Sequence, residues 1–400
     1  MNRRELLRAT AGALLVGAAG TAGTTGCGDD GEYTEADARL LEERIAAGRA
    51  RSGKGRFGPL RFRGYRGLAE LPEFEIDEEG ELRLAARGVP LSIDIHAHLG
   101  IGVFLAPRVD LLRRTERVRH FLDQPEVLDL DVYMNDNFTP EMRQRLRRET
   151  IRQAVLGSEF AATHTAANLV AELGRMGFES ACVLPIALGL PFAFRDDLTE
   201  QWIEALSGGE GTALGERLVL GASVHPRDGG WRRKLQRAVA RGARIVKLHP
   251  ELQRFYPDAP EAMEVYAECE RLDVPVIFHA GRSGIEPERL RRYALMRRYV
   301  GAVESFPGVR FVFGHAGARD LPDALEIARR QRNVWLGTAS VGVSALDDAL
   351  GALGADKLAL GSDWPFYHVG SALAKALIVT RGDRGARRRL LRESALEILG

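Results

Sequence analysis

The stretch SIDIHAHLG, Ser92 to Gly100, sets Asp94, His96 and His98 at alternate positions. In an extended chain residues two apart share a face. The pattern predicts Asp94, His96 and His98 on one face of a strand and Ile93 and Ile95 on the other. Imidazoles and carboxylates gathered on a buried face need a partner, because an unpaired buried polar group is costly. A divalent metal would serve. Further along, ASVHP carries His225, IVKLHP carries Lys247 and His249, VIFHAG carries His279, FVFGHAG carries His315 and LALGSDWPF carries Asp363. Six of the nine histidines fall at the ends of β-like runs, where chance would scatter them over helices and loops. A lone HxH is more often incidental, but six such histidines with the aspartate of GSDWP argue for a metal site. His225 either joins the set or caps the turn before Pro226. His120, His164 and His368 fall outside the pattern: the first two read as surface or packing residues, and a place on the rim is only the lesser alternative for His368.

Positioning these residues requires a frame. Eight short apolar, β-branched runs are expected as strands: 92–96, 180–185, 218–224, 244–248, 274–279, 310–314, 333–337 and 357–361. Helical patterns such as WRRKLQRAVARG, APEAMEVYAECERL and DLPDALEIARRQ separate most of them. Strand–helix alternation implies a parallel sheet, and eight units imply an α/β fold of the closed (β/α)8 TIM-barrel type. Near-continuous apolarity suits strands buried on both faces. The chemistry-bearing residues would then line the carboxyl end of the barrel, where sites of this fold lie. The first connection, about 99–179, is oversized and predicts a helical cap. Arg282, after FHAG, and Arg319, after GHAGA, either clamp a carboxylate or phosphate or are solvated rim charges. Trp364 forms an aromatic wall or packs the barrel top.

The motifs DIHAHLG, KLHP, FHAG, GHAG and GSDWPF, in that order over residues 91–400, resemble the amidohydrolase superfamily. The similarity is to the amidohydrolase-2 branch that includes aminocarboxymuconate-semialdehyde decarboxylase. The resemblance implies that His96, His98, His279 and Asp363 are metal ligands. It also implies that His315, with Asp363, is catalytic near a metal-bound water. Imidazoles and a carboxylate suit zinc with one position left open. In binuclear members the lysine of the fourth strand is carbamylated and bridges two ions. Lys247 occupies that place, although His249 would share its face. One ion is favoured, with Lys247, His249, Arg282 and Trp364 as substrate-binding candidates, and two ions if Lys247 is carbamylated. The same ligands serve a hydrolase of an ester, lactone or amide and a non-oxidative decarboxylase of an acidic unsaturated or aromatic substrate. A non-catalytic surface lipoprotein would instead show a broken ligand set.

The rest of the chain bounds these readings. It has 400 residues, a net charge of +1 and 45% hydrophobic residues, an ordinary globular composition that gives no reason to expect nucleic acid as a partner. A small-molecule substrate is the expected partner, and a homodimer is admitted. Residues 1–27 combine Arg3 and Arg4, a Gly/Ala-rich apolar run and TTGC, which resembles a twin-arginine lipoprotein signal with Cys27 as the lipidated residue. The expectation is export to the cell envelope as a periplasmic or extracytoplasmic membrane-anchored lipoprotein. Residues 28–90 read as an N-terminal extension. It holds a helix capped by Thr34 with Asp37 three residues on, a basic glycine-rich linker, and a hairpin around Glu79-Gly80. Cys182 and Cys269 are expected as buried free thiols.

Overall fold

The computed structural model describes residues 33–101, 108–122, 127–188, 197–209 and 211–400. The expected signal segment and Cys27 lie outside the described residues. The eight expected strands all form: β1 Ser92–Ala97, β2 Phe178–Val183, β3 Leu218–Ala222, β4 Ile245–Leu248, β5 Val276–His279, β6 Phe311–Gly314, β7 Val334–Gly337 and β8 Leu358–Ala359. They make one parallel sheet in sequence order. The segment after β8 closes it on β1. The Ile95 amide donates to the Leu360 carbonyl at 2.9 Å, the Asp363 amide to that of His96 at 2.7 Å, and Ala97 bridges Trp364. This is a TIM barrel.

Its interior holds apolar side chains from successive strands, Ile93 and Ile95, Cys182, Ile245, Ile277, Val312, Trp335 and Ala359 among them. Ala395 and Ile398 of the last helix, Ser394–Leu399, join this cluster and plug the amino end. Arg244, just before β4, donates to the carbonyls of Leu399 and Gly400 there. Interior packing corrects one expectation. Ile93 and Ile95 face inward, whereas Asp94 turns aside to Ser362, accepting from its amide at 3.0 Å and its hydroxyl. The register with β2 shifts between Asp94 and Ala97, an irregularity of the bulge kind. The shift resets the alternation, so His96 and His98 still reach the inside at the carboxyl end.

The insertion after β1 is partly helical, with Pro140–Val155 capped by Thr139 and Ala166–Arg175 capped by Thr165. The segment read as a linker is instead structured. Arg61–Arg63 pairs antiparallel with Val127–Asp129 of the insertion. The hairpin around Gly80 is present, as is the capping box of Thr34 and Asp37 on helix Glu35–Arg51. Arginines of that helix tie it to the barrel: Arg44 to Asp323 at 2.9 Å and to Asp320, and Arg49 to Asp136 at 2.9 Å. Cys182 and Cys269 are buried and free. No helix among the described residues is long and apolar enough to cross a membrane.

Candidate metal centre

Five histidines, two carboxylates and a lysine converge at the carboxyl end of the barrel. From β1, His96 is fully buried, and its Nε2 lies 3.0 Å from Lys247 Nζ on β4. Its Nδ1 is buried without a hydrogen-bond partner. His98 gives its Nδ1–H to the Leu184 carbonyl at 2.7 Å, which fixes the tautomer and leaves Nε2 bare. That Nε2 lies 3.5 Å from Asp363 Oδ1, and His96 Nε2 lies 3.8 Å from the same oxygen. His315 sits immediately after β6, with its ring 4.8 Å from that of His96 and a buried, unpartnered Nδ1. His96, His315 and Asp363 each offer a ligand atom within 4.8 Å of the others.

The backbone is bent to make this arrangement. His315 and Asp363 have φ of 58° and 63°, in the left-handed region that costs a non-glycine residue about 1–3 kcal/mol. The loops after β5 and β6 touch closely, since a Cβ on Gly281 would lie 1.9 Å from the Gly317 carbonyl oxygen. The glycines of FHAG and GHAG thus let the two histidine-bearing loops sit side by side. Strain stored where titratable groups converge is the pattern of a functional site.

The donor set suits a cation. Two ligands on a tetrahedral zinc with legs of about 2.1 Å stand about 3.4 Å apart. The 3.5 and 3.8 Å separations around Asp363 are close to that, and no hydrogen bond is recorded across them. Burial, reinforced by Lys247 and neighbouring imidazoles, holds His96 neutral, with its pKa far below the usual histidine range. Burial does the same to His315, with His279 adding to it and Asp363 opposing. Neutral imidazole is the ligating form. Burial also lowers the Lys247 ammonium to about 7, against the pull of Asp363.

The ligands implied by the resemblance do not all meet at one point. His279 stacks on His249 with ring centroids 4.1 Å apart and groups with His249 and Glu251. Its ring is 4.5 Å from that of His315, so the two groups adjoin. Glu251 escaped the sequence reading. Its only signal was an acidic residue directly after KLHP, which reads equally well as the favourable charge in the first turn of helix Pro250–Gln253.

Two substrate-binding candidates lie away from the centre. Arg282 is 2% exposed and grips Asp320 through Nε at 2.8 Å and Nη2 at 2.6 Å. Trp364 is fully buried and donates Nε1–H to Glu172 at 3.2 Å. Arg319 pairs with Asp136 at 2.8 Å. His225 is the turn cap: its Nδ1 accepts from the Arg227 amide and its Nε2 meets the Gln253 carbonyl.

A family model described as Amidohydrolase matches residues 210–400, a segment holding Lys247, His249, His279, His315 and Asp363. The match spans just under half of the chain, from before the third strand to the last helix. No curated protein matches the chain. Among solved structures, this barrel is similar to an uncharacterised TIM-barrel protein from Bordetella bronchiseptica. That likeness has a TM-score of 0.54 and 16% identity, over 77% of this chain and 98% of the other. It is also similar to a 2,6-dihydroxybenzoate decarboxylase from Rhizobium, with a TM-score of 0.51 and 16% identity over 78% and 98% of the two chains. A third likeness is to a 5-carboxyvanillate decarboxylase from Novosphingobium aromaticivorans with bound manganese. There the TM-score is 0.52 and the identity 14%, over 80% and 99%. At these identities the likeness shows the fold.

Proposed function

We propose that this protein is a metal-dependent hydrolase acting on an ester, lactone or amide bond of a small molecule. The observation that carries the proposal is the convergence on Asp363 Oδ1 of two imidazole nitrogens, His98 Nε2 at 3.5 Å and His96 Nε2 at 3.8 Å, beside His315. A divalent ion held by His96, His98, His315 and Asp363, zinc by ligand type, would polarise a carbonyl and lower the pKa of water from about 15.7 toward about 7. Asp363 or His315, the latter held neutral by burial and with an unpartnered Nδ1, accepts the proton of the attacking water and returns that same proton to the leaving group. The Leu184 carbonyl keeps His98 in the tautomer that presents Nε2. Lys247, with its charge weakened by burial, supplies a hydrogen-bond donor beside His96.

Hydrolysis of an uncharged bond is favoured over decarboxylation by the state of the nearby arginines. Arg282 is held by Asp320 and Arg319 by Asp136, so neither guanidinium is left to clamp a substrate carboxylate. The decarboxylase reading draws support from the two decarboxylase barrels that this one resembles. A non-catalytic barrel would lack the intact donor set. The paired arginines and TTGC of residues 1–27 support export and lipidation at Cys27.

The test is turnover by the zinc-loaded protein of two panels: p-nitrophenyl esters and lactones, and hydroxylated benzoic acids. Ester or lactone cleavage that a chelator abolishes and zinc restores is the expected result. Release of carbon dioxide from the acids, with no ester or lactone cleavage, would reverse the assignment.

A further inference from the structure

The insertion after β1 brings one tyrosine to the mouth of the barrel. Its segment lies along the loops that follow β7 and β8. The Val343 amide donates to the Leu130 carbonyl and the Met134 amide to that of Ser340, both at 2.9 Å. The Ser344 amide donates to Asp131 Oδ1 at 2.7 Å, and the Tyr367 hydroxyl donates to Asn135. A Cβ on Gly342 would lie 2.8 Å from the carbonyl oxygens of Asp131 and Val132, so the insertion rests directly on the β7 loop. Tyr133 sits in the middle of this seam, just before the short helical turn Met134–Asn137.

The loop after β6 holds the ring from another side. The Arg319 guanidinium lies over it, 4.5 Å from the centroid. Asp136 pins that guanidinium at 2.8 Å through Oδ2, and Arg49 of the N-terminal helix holds the other oxygen of Asp136 at 2.9 Å. Two ion pairs thus fix the group that fixes the ring, which is the support a preorganised contact needs.

Tyr133 is 9% exposed, yet its hydroxyl has no hydrogen-bond partner among the described residues. The other buried tyrosines are satisfied. Tyr65 meets Glu81 at 3.2 Å, Tyr266 the Pro257 carbonyl at 3.0 Å, Tyr299 the His279 carbonyl at 3.2 Å, and Tyr367 meets Asn135. A buried phenol ordinarily finds such a partner, so the open hydroxyl of Tyr133 is the exception to explain. Besides Arg319, the charges that act on it are Asp363, Glu286 and Glu251, from the loops after β8, β5 and β4. Burial, opposed by Arg319, pushes its pKa up, so the phenol stays a neutral donor.

We propose that Tyr133 is a catalytic residue supplied by the insertion, its hydroxyl donating a hydrogen bond to the carbonyl oxygen of the bond being cleaved. That hydrogen bond strengthens as the oxygen gains charge in the transition state, and no proton is transferred. The inference rests on the hydrolase reading above, to which it adds the insertion as a working part of the site.

The experiment compares the zinc-loaded full chain with its Tyr133→Phe variant on p-nitrophenyl acetate and on dihydrocoumarin, a lactone. Phenylalanine keeps the ring under Arg319, so zinc content and melting temperature should match the wild type. The expected result is a fall in kcat of about 10²-fold, with KM within about threefold. An unchanged kcat beside an active wild type overturns the role of Tyr133 while the hydrolase reading stands. A rise in KM alone also overturns it, because that is binding common to the ground and transition states. So does a fall in kcat that only follows a loss of zinc. A wild type that cleaves neither probe overturns both readings.

Discussion

Two groups of buried histidines lie in this molecule, and they differ in what their nitrogens do. At the barrel mouth, His96 and His315 each keep an unpartnered Nδ1, and the nearest carboxylate oxygens stand 3.5–3.8 Å from His96, His98 and His279. Beneath the insertion, His120, His164 and His368 surround Glu172 and Trp364 with their contacts closed. His120 Nε2 meets Glu172 at 3.1 Å, and His164 Nε2 meets the Arg119 carbonyl at 2.8 Å. His368 Nδ1 accepts from the Gly370 amide at 3.0 Å while its ring stacks on Tyr65. Glu172 also accepts from Trp364 Nε1 and the Val369 amide. The second group is finished as it stands, a satisfied polar network that fastens the insertion to the segment after β8. The first keeps buried ring nitrogens without a hydrogen-bond partner. Burial alone does not separate a structural histidine from a functional one; the open valence does.

The largest effect should come from the mouth. Asp363→Asn should lower turnover by about 10³-fold or more, the scale of losing a general base, while leaving thermal stability close to that of the wild type. A variant that keeps full activity would remove Asp363 from the chemistry. Glu172→Gln should do the reverse. Breaking a buried charged network costs about 3 kcal/mol, read as a shift in the denaturant midpoint, with turnover per folded molecule retained. Loss of activity without loss of stability would merge the two groups.

Acid should separate them further. Burial keeps the folded His368 at about 4, against the opposing pull of Glu172, below its ordinary 6.5. From pH 6.5 down to about 4 the unfolded chain binds a proton there that the folded chain refuses, so stability falls as pH falls. Burial pushes the Glu172 carboxyl up, but His368, His120 and the Val369 amide outweigh it and hold it at about 2. That contribution is present above 4.5 and is lost toward pH 2. Melting temperatures measured from pH 7 to 4 should fall, and less steeply in His368→Asn. An unchanged slope in that variant would contradict the role given to His368. The smallest effect is expected from Tyr65→Leu, which removes the stacked ring under His368. It should cost about 1 kcal/mol in thermal unfolding and leave the zinc content unchanged.

Much of this was legible in the sequence because the barrel repeats one local rule. Each strand is a short apolar run followed by a polar residue at its carboxyl end, so His96, His279, His315 and Asp363 could be placed without tertiary information. What stayed hidden depends on contacts between distant segments. The register shift in β1 that turns Asp94 aside follows from pairing with β2, some 85 residues away. Glu172 meets His120 and His368 only after the insertion folds, and neither histidine has a local signature. Arg282 was a candidate clamp because its loop opens at the right face. Asp320, in the next loop, and the N-terminal helix claim it instead. The strand pairing of Arg61–Arg63 was masked by glycines and arginines that read as a linker.

The measurement that tests the central claim most directly is anomalous diffraction at the zinc edge from crystals of the zinc-loaded full chain. A peak within ligand reach of His96, His98 and Asp363, with none beside Glu172, is the predicted result. No peak at the barrel mouth, or a peak held by His120, Glu172 and His368, would contradict the account.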